Sequence, residues 1–295
     1  MNRIIFKVTI IFGFMTAIVS AQNFQGQAIY QTKTTMDMSQ WGGRQMSEQQ
    51  KKMIAERMKG MLEKIYVLNF NQSESTYREE EKLEAPGSGG GGRFSGMMSS
   101  FTAGPQYKNI KEQILLQEQE FFGKQFLIKD SLPSLEWKLG TETKQIGQYT
   151  CFKATTTKKV DELDFSKMRR RDRDDVKKEE ASKDSISVDS TQTDDAFADI
   201  EVPEFIVVTA WYTPQIPVSS GPGEYQGLPG LILEVTADKT IMLCTKVVLN
   251  PKEKDVIEKP EKGEVVTRDE YNTIVKDKIE EMRQMYGGRG RGRRN

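Results

Sequence analysis

The chain has 295 residues, and its 43 Lys and Arg balance its 43 Asp and Glu, so its net charge gives no electrostatic reason to expect a polyanionic partner. It contains no His, which excludes Ser-His-Asp and Cys-His catalytic pairs, HExxH zinc sites and any imidazole base. Paired carboxylates remain chemically available, but no acidic pair is distinguished by its spacing. We therefore predict a protein that is not an enzyme and that uses no cofactor or metal.

The N-terminus has the organisation of a secretory signal peptide. Arg3 and Lys7 provide a positive segment, residues 8–19 are almost wholly apolar, and Val19-Ser20-Ala21 presents compact residues to a signal peptidase. The apolar run is too short for a bilayer-spanning helix, which needs about 20 residues. We predict a signal peptide over residues 1–21, a mature chain without a transmembrane segment, and a location in the periplasm, at the outer membrane or outside the cell.

The beginning of the mature chain is predicted to form a strand and a helix. Residues 24–35 alternate between polar residues and residues that a sheet can bury, which is typical of a half-buried strand. After Ser47, apolar residues recur at the spacing of an amphipathic helix: Met53, Ile54, Met58, Met61, Leu62 and Ile65. Thioethers can hold Cu(I), but Met also fills gaps on apolar helix faces, and the helical spacing favours packing.

The middle of the chain is predicted to be a meander of short strands with two insertions. The strands are placed at 65–70, 73–78, 110–119, 126–128, 135–139 and 144–157, with a turn near Gly123. The Gly/Ser-rich stretch 84–105 is predicted to be a flexible loop. Residues 158–199 are so rich in charge that they cannot bury enough apolar surface to offset their ordering entropy, so we predict a disordered insertion.

The last third is predicted to contain three strands and a helix. Residues 205–213 are nearly continuously apolar, which favours a central strand covered on both faces. Residues 231–236 and 241–249 form a predicted hairpin. A helix follows, with a capping box of Thr267 and Glu270, an apolar stripe and an end at Gly287. The stripe consists of Tyr271, Ile274, Val275, Ile279 and Met282.

Together these elements predict a mainly β (α+β) fold, with a curved antiparallel sheet or half-barrel, one or two flanking helices and two disordered insertions. We expect one domain over residues 22–286 and a Gly-Arg tail over 287–295. The tail arginines are Arg289, Arg291, Arg293 and Arg294. They are typical of RNA-binding segments, but an exported protein rarely meets RNA. We therefore expect no nucleic-acid partner, and a tail that touches anionic lipid or polysaccharide or has no role.

The mature chain carries two cysteines, Cys151 and Cys244. An even number in an exported protein favours a disulfide, and we expect the two to lie on neighbouring strands. Because both fall in predicted strands, two buried thiols in a β core are the alternative.

Residues 227–232 spell out Gly-Leu-Pro-Gly-Leu-Ile, and their surroundings include Ala210-Trp211-Tyr212-Thr213 upstream, Leu233-Glu234-Val235 downstream and residues 146–151 earlier. On these motifs the chain resembles the GLPGLI family, which consists of exported proteins of Gram-negative bacteria with no established activity. The resemblance covers about Phe24 to Asn250. It implies no catalytic residues.

The hexapeptide also has a physical meaning, because Pro229 and Gly230 suit the second and third positions of a type II turn. We predict a positive φ at Gly230, so that Gly230→Ala destabilises the fold whereas Glu224→Ala or Gln226→Ala scarcely does. The motif residues, Gly227, Leu228, Pro229, Gly230, Leu231 and Ile232, are expected to be structural. The loop before them either caps one end of the sheet or forms a binding site.

Three functions are compatible with these features. The first is a non-catalytic envelope module that contacts a protein, glycan or lipid through Trp211, Tyr212 and Tyr225. The second is a carrier of an apolar ligand in a half-barrel groove, which rests on fold-level analogy alone. The third is a carboxylate-based hydrolase of envelope glycans, which no residue pattern supports.

Overall fold

The computed structural model describes residues 24–35, 47, 49, 52, 53, 56, 59, 60, 62–80, 104–160, 169, 170, 200, 201, 203–253 and 255–287. The fold class is confirmed: the chain is mainly β, with an open, curved twelve-stranded sheet and a helix beside it.

The strands of the large sheet are β1 (Gln25–Thr34), β2 (Glu63–Asn71), β3 (Glu74–Glu79), β4 (Gln106–Asn109), β5 (Ile114–Phe121), β6 (Lys124–Ser131), β7 (Lys138–Ile146), β8 (Tyr149–Lys159), β11 (Phe205–Thr213), β12 (Leu231–Ala237), β13 (Thr240–Leu249) and β14 (Glu264–Val266). Two short strands, β9 (Arg169–Arg170) and β10 (Ile200–Glu201), pair with each other. The helix is α1 (Arg268–Gly287). In the large sheet the strands follow the order β14-β6-β5-β4-β3-β2-β1-β13-β12-β11-β8-β7. All their pairings are antiparallel except that of β14 with β6.

The first strand lies near the middle of the sheet, between β2 and β13. Its alternation buries Ala28 and Tyr30 on one face, as predicted. We call this face, which also carries Leu68 and Tyr77, the inner face and the opposite one the outer face. Pairing of β1 with β13 joins parts of the chain that lie far apart in sequence, so the core forms only when the whole sheet is assembled.

Helix α1 packs beside β6 at one end of the sheet. Its capping box is confirmed: the backbone N–H of Thr267 donates to the Glu270 carboxylate at 2.7 Å, and the Glu270 N–H donates to the Thr267 hydroxyl at 3.2 Å. The apolar stripe is confirmed at Tyr271 and Val275, which pack with Phe126 of β6. The side chain of Met282 lies outside the described residues.

A segment that we call the strap (residues 250–253 and 255–263) crosses the outer face of β2 to β6 and of the first residues of β1. The Asp255 carboxylate accepts hydrogen bonds from Gln27 at 3.2 Å and Asn69 at 3.0 Å, and Ile257 packs on a cluster containing Tyr107 and Leu116. The strap therefore covers this half of the outer face.

Three predicted strands have different bounds because turns interrupt them. The strand predicted over 110–119 begins only at Ile114, because residues 110–113 form a turn between β4 and β5. In this turn the side-chain oxygen of Asn109 accepts the N–H groups of Lys111 and Glu112 at 3.0 Å each. Residues 144–157 form a hairpin that turns at Gly147, whose φ is +56°. Residues 135–137 are not a strand, and β7 begins at Lys138.

The strand over 205–213 is confirmed, but the expectation that both of its faces are covered is wrong. Phe205 and Val207 are exposed, whereas the intervening Ile206 and Val208 are buried. The hairpin of β12 and β13 is confirmed, with Asp238 in its turn at φ +54°.

The predicted charged insertion starts too early, because β8 extends to Lys159 and Val160 is buried. Of the remaining predictions, the signal peptide, most of both insertions and the tail beyond Gly287 lie outside the described residues. The described residues between 49 and 62 are helical, and Ile65 belongs to β2 instead. Met53 is exposed, so the expectation that it packs in a core is wrong. In the part of the chain that the structure describes, no helix is both long and apolar enough to span a bilayer.

Candidate functional site

The loop that connects β11 to β12 (residues 214–230, the signature loop) lies on the inner face and is part of the core. Ile216 and Val218 pack with residues of β1 to β3, and Tyr225 and Leu228 pack with residues of β8, β11 and β12. Its backbone is bonded to the strand that follows, with Leu231 N–H donating to Ile216 O at 2.9 Å. The loop therefore fills the inner face where a half-barrel carrier would hold its ligand.

The hexapeptide begins with a left-handed residue, but it is Gly227 (φ +95°) and not Gly230. Gly230 N–H donates to Leu228 O at 2.8 Å, which closes a γ-turn around Pro229 rather than the expected type II turn. The prediction of a positive φ at Gly230 is therefore wrong. Glycine is required there for space: a Cβ would lie 2.5 Å from the carbonyl carbon of Thr213 and 2.9 Å from the nitrogen of Pro214.

A buried lysine binds the middle of the signature loop. Lys108 of β4 is 1% exposed, and its Nζ donates to Gly221 O at 2.7 Å and to Tyr225 O at 3.2 Å. Burial lowers the pKa of Lys108 to about 7, although the nearby Glu224 carboxylate acts in the opposite direction. A neutral amine keeps two N–H donors, which match these two carbonyls.

An amine with a near-neutral pKa has the chemistry of a nucleophile, but Lys108 has no exposed approach. Its nitrogen is enclosed by the carbonyls of the signature loop, and the neighbouring Ser220 hydroxyl meets Ser75 at 3.4 Å. The arrangement fastens the loop to β3 and β4. Nothing in the residue pattern of β4 predicted this, because its four residues give no periodic signal.

Polar side chains also bind the signature loop to β8 and to the segment that connects β6 to β7. The indole N–H of Trp137 donates to Gln226 O at 2.8 Å, and the Gln226 amide donates to Pro133 O at 3.0 Å. Glu224 forms an ion pair with Lys158 of β8. Because Gln226 is buried and bonded to Pro133, the structure leads us to expect that its replacement by Ala costs stability, contrary to the expectation from the sequence.

The three aromatic residues expected to bind a partner do not share a surface. Tyr212 and Tyr225 are buried in one core cluster, and Trp211 packs at the edge of another. Lys144 Nζ lies 5.4 Å from the centre of the Trp211 ring and 2.5 Å from Glu234. Only Trp211 keeps some exposure, so Tyr212 and Tyr225 are structural residues.

Cys151 and Cys244 are free, buried thiols, which is the second of the two alternatives. They lie on β8 and β13, which β11 and β12 separate, so the expectation of neighbouring strands is wrong. Burial raises the pKa of Cys151 to about 11 and that of Cys244 to about 12. High pKa values keep both thiols protonated and poorly nucleophilic. Within the described ranges, no three Cys, Asp or Glu side chains are placed to hold a metal ion.

The strap does not cover the outer face of the other half of the sheet, which runs from β1 through β13, β12 and β11 to β8. We call this uncovered surface the open face. Its centre follows from the strand registers, since Thr209 pairs with Thr236 and Thr236 pairs with Ile241. Paired residues share a face. The open face consists of Lys153, Thr155, Thr157 and Lys159 on β8, Phe205, Val207, Thr209 and Trp211 on β11, Glu234 and Thr236 on β12, Ile241, Leu243 and Lys246 on β13, and Gln31 and Lys33 on β1.

Large apolar side chains are exposed on the open face. Val207 is 67% exposed, Phe205 54%, Ile241 44% and Leu243 37%. The strand spacing of about 4.8 Å makes the face about 20 Å wide from β8 to β1. The alternation of exposed and buried residues in β11 was not apparent from the sequence, because both sets are apolar.

Comparison with known proteins assigns no activity. The model of a family described as "Protein of unknown function (Porph_ging)" matches residues 137–234, a segment that contains the hexapeptide. That family, like the one expected from the hexapeptide, has no assigned function, and the GLPGLI name stays a prediction. None of the curated proteins matches the chain significantly.

Two solved structures are similar to the chain at low identity. They are described as structures of PNGF-II in the C2 and P21 space groups, with 13% and 12% identity and TM-scores of 0.45 and 0.43. Each comparison covers 85% of this chain, and the chain spans 32% and 33% of their length.

Proposed function

We propose that this protein is a non-catalytic binding module of the bacterial cell envelope and that it binds its partner through the open face. The observation that carries the proposal is the row of exposed apolar side chains on β11 and β13, in which Val207 and Ile241 are the most exposed of their strands. Contiguous exposed apolar surface on a soluble protein is typical of an interaction site. The envelope location is supported by the signal-peptide pattern of residues 1–21.

The inner face gives less support to the alternative of an apolar-ligand carrier. Ile216, Val218 and Leu228 of the signature loop occupy the space between the two halves of the sheet. A ligand in that place requires displacement of a loop held by Lys108, Trp137 and Gln226. A hydrolase is supported by no arrangement of side chains described above.

Site-specific photo-crosslinking in envelope fractions tests the proposal. A photoreactive amino acid is placed at Val207 or Ile241 on the open face, and at the equally exposed Val256 or Val265 as controls away from it. We expect light-dependent adducts, whether with protein, lipid or glycan, from the first pair and not from the second. Equal adducts from both pairs, or none from the open face, would show that this surface has no specific partner.

A further inference from the structure

Charge is distributed unevenly between the two halves of the sheet. The six strands β1, β7, β8, β11, β12 and β13 carry seven Lys and two Glu, without any Arg or Asp. The six strands of the other half carry seven acidic and five basic residues. A chain with no net charge therefore has a strongly basic half, and it is the half with the open face.

Three of these lysines are exposed at the border of the apolar row. Lys159 pairs in register with Phe205, Lys138 with Thr155, and Lys246 with Ile29, which places all three on the outer face. None of the three forms an ion pair with another described residue. Lys144 and Lys153, by contrast, are paired with Glu234 and Glu142.

From this geometry, and resting on the proposed function above, we propose that the open face docks on a membrane surface that carries anionic lipid headgroups. Apolar side chains framed by basic residues are typical of surfaces that lie at the headgroup boundary. Phe205 and Val207, the most exposed apolar pair of the open face, stand next to Lys159 at the start of β11. They enter the boundary while the lysines contact the headgroups.

The kind of cation distinguishes a membrane from an acidic protein as the partner. Protein interfaces favour Arg, whose planar group binds carboxylates in a fixed geometry, and are depleted in Lys. The open face has Lys only, and an ammonium group on a flexible stem suits mobile phosphate headgroups without a required geometry. Its central residues, Thr155, Thr209 and Thr236, lie in register across three strands and add no anchor for a specific partner.

Co-sedimentation with vesicles tests the docking. The purified mature chain, which begins after the predicted signal peptide, is mixed with vesicles of phosphatidylcholine alone or of phosphatidylcholine with phosphatidylglycerol, at low and at physiological salt. We expect binding to the phosphatidylglycerol vesicles that weakens with salt, and little binding to phosphatidylcholine alone. Equal binding to both vesicles, or none to either, overturns the proposal.

Two sets of variants locate the contact. Each surface lysine contributes about fivefold to the affinity, so Lys138→Gln, Lys159→Gln and Lys246→Gln together are expected to weaken binding on the order of a hundredfold. The matched control, Lys111→Gln, Lys252→Gln and Lys262→Gln, removes the same charge from exposed positions elsewhere and is expected to change binding little. If the control weakens binding as much, the attraction is not local and the proposal fails.

The apolar pair is tested by Phe205→Ser with Val207→Ser, with Val256→Ser as the control. We expect the pair to lose tenfold or more in binding, and circular dichroism to show that each variant stays folded. The outcome separates the two proposals. Vesicle binding that fails while Val207 still crosslinks to a protein overturns the membrane partner and leaves the binding module intact.

Discussion

The signature loop and the open face are built on the two faces of the same strands, yet they differ in almost every physical respect. On the inner face, residues 214–230 return across the sheet and bury Tyr30, Leu68 and Val208 completely. On the outer face, no described segment returns over β11 and β13, and residues of similar chemistry such as Val207 and Ile241 stay exposed. A recognisable sequence motif can therefore be structural, while the surface that we propose binds a partner carries no motif. Substitutions on the inner face should cost stability, and those on the outer face should cost binding.

The largest expected effect on stability is that of Gly230→Ala. Its new Cβ would overlap the backbone of Thr213 and Pro214, which cannot move without breaking the end of β11. We expect a loss of about 3 kcal/mol in the free energy of unfolding, measured by chemical denaturation. Gly147→Ala is the control: its φ is positive, but its Cβ would meet nothing within 4 Å, so it should cost about 1 to 2 kcal/mol. A Gly230→Ala loss no greater than this would mean that space is not the reason for glycine.

The next effect is a pH dependence that Lys108 imposes on stability. The pKa of Lys108 is about 7 in the folded protein against 10.5 for an ordinary lysine, so between these values the unfolded chain binds more protons and stability rises with pH. From pH 7 to pH 9 the rise should be about 2 kcal/mol. Above pH 9 the buried thiols of Cys151 and Cys244 act in the opposite direction, because their pKa values are raised by folding.

Urea denaturation at several pH values between 7 and 9 measures this rise. Lys108→Met, which retains the shape of the side chain, is expected to abolish it, whereas Lys111→Met on the exposed turn should retain it. A wild-type protein whose stability is flat over this range would show that Lys108 is charged in the folded state.

A smaller effect is expected for Gln226→Ala. The substitution removes the donor to Pro133 O in a buried environment and should cost about 1 to 3 kcal/mol, seen as a lower thermal midpoint. Gln148→Ala, at an exposed turn position, should leave the midpoint unchanged. Equal midpoints for the two variants would show that the contact to Pro133 does not stabilise the loop.

The smallest effect is expected on the open face itself. Val207→Ser should change the free energy of unfolding by less than about 0.5 kcal/mol, while Val208→Ser, one residue along on the inner face, should cost about 2 kcal/mol or more. The same denaturation experiment compares the two. If Val207→Ser is as costly as Val208→Ser, a segment of the chain covers the open face and the comparison between the two faces no longer holds.

Local sequence patterns determined much of this protein. The alternation around Ala28 and Tyr30, the Thr267–Glu270 capping box and the β12–β13 hairpin depend on residues close together in the chain, and all three are confirmed. The mainly β fold class follows from the sum of such patterns. The bounds of β5 and β7 did not, because side-chain hydrogen bonds such as those of Asn109 form a turn without changing the apolar pattern of the chain.

Which parts of each face are covered depends on tertiary contacts. The pairing of β1 with β13 and the return of the signature loop join residues far apart in sequence, and these contacts bury Lys108, Tyr212 and Tyr225. In β11 the buried and the exposed positions both carry apolar residues. The sequence therefore shows no alternation of polar and apolar residues from which to tell the buried face from the exposed one. Exposure at Val207 is therefore a property of which segments pack on β11 and of where the strap ends, and no local pattern encodes it.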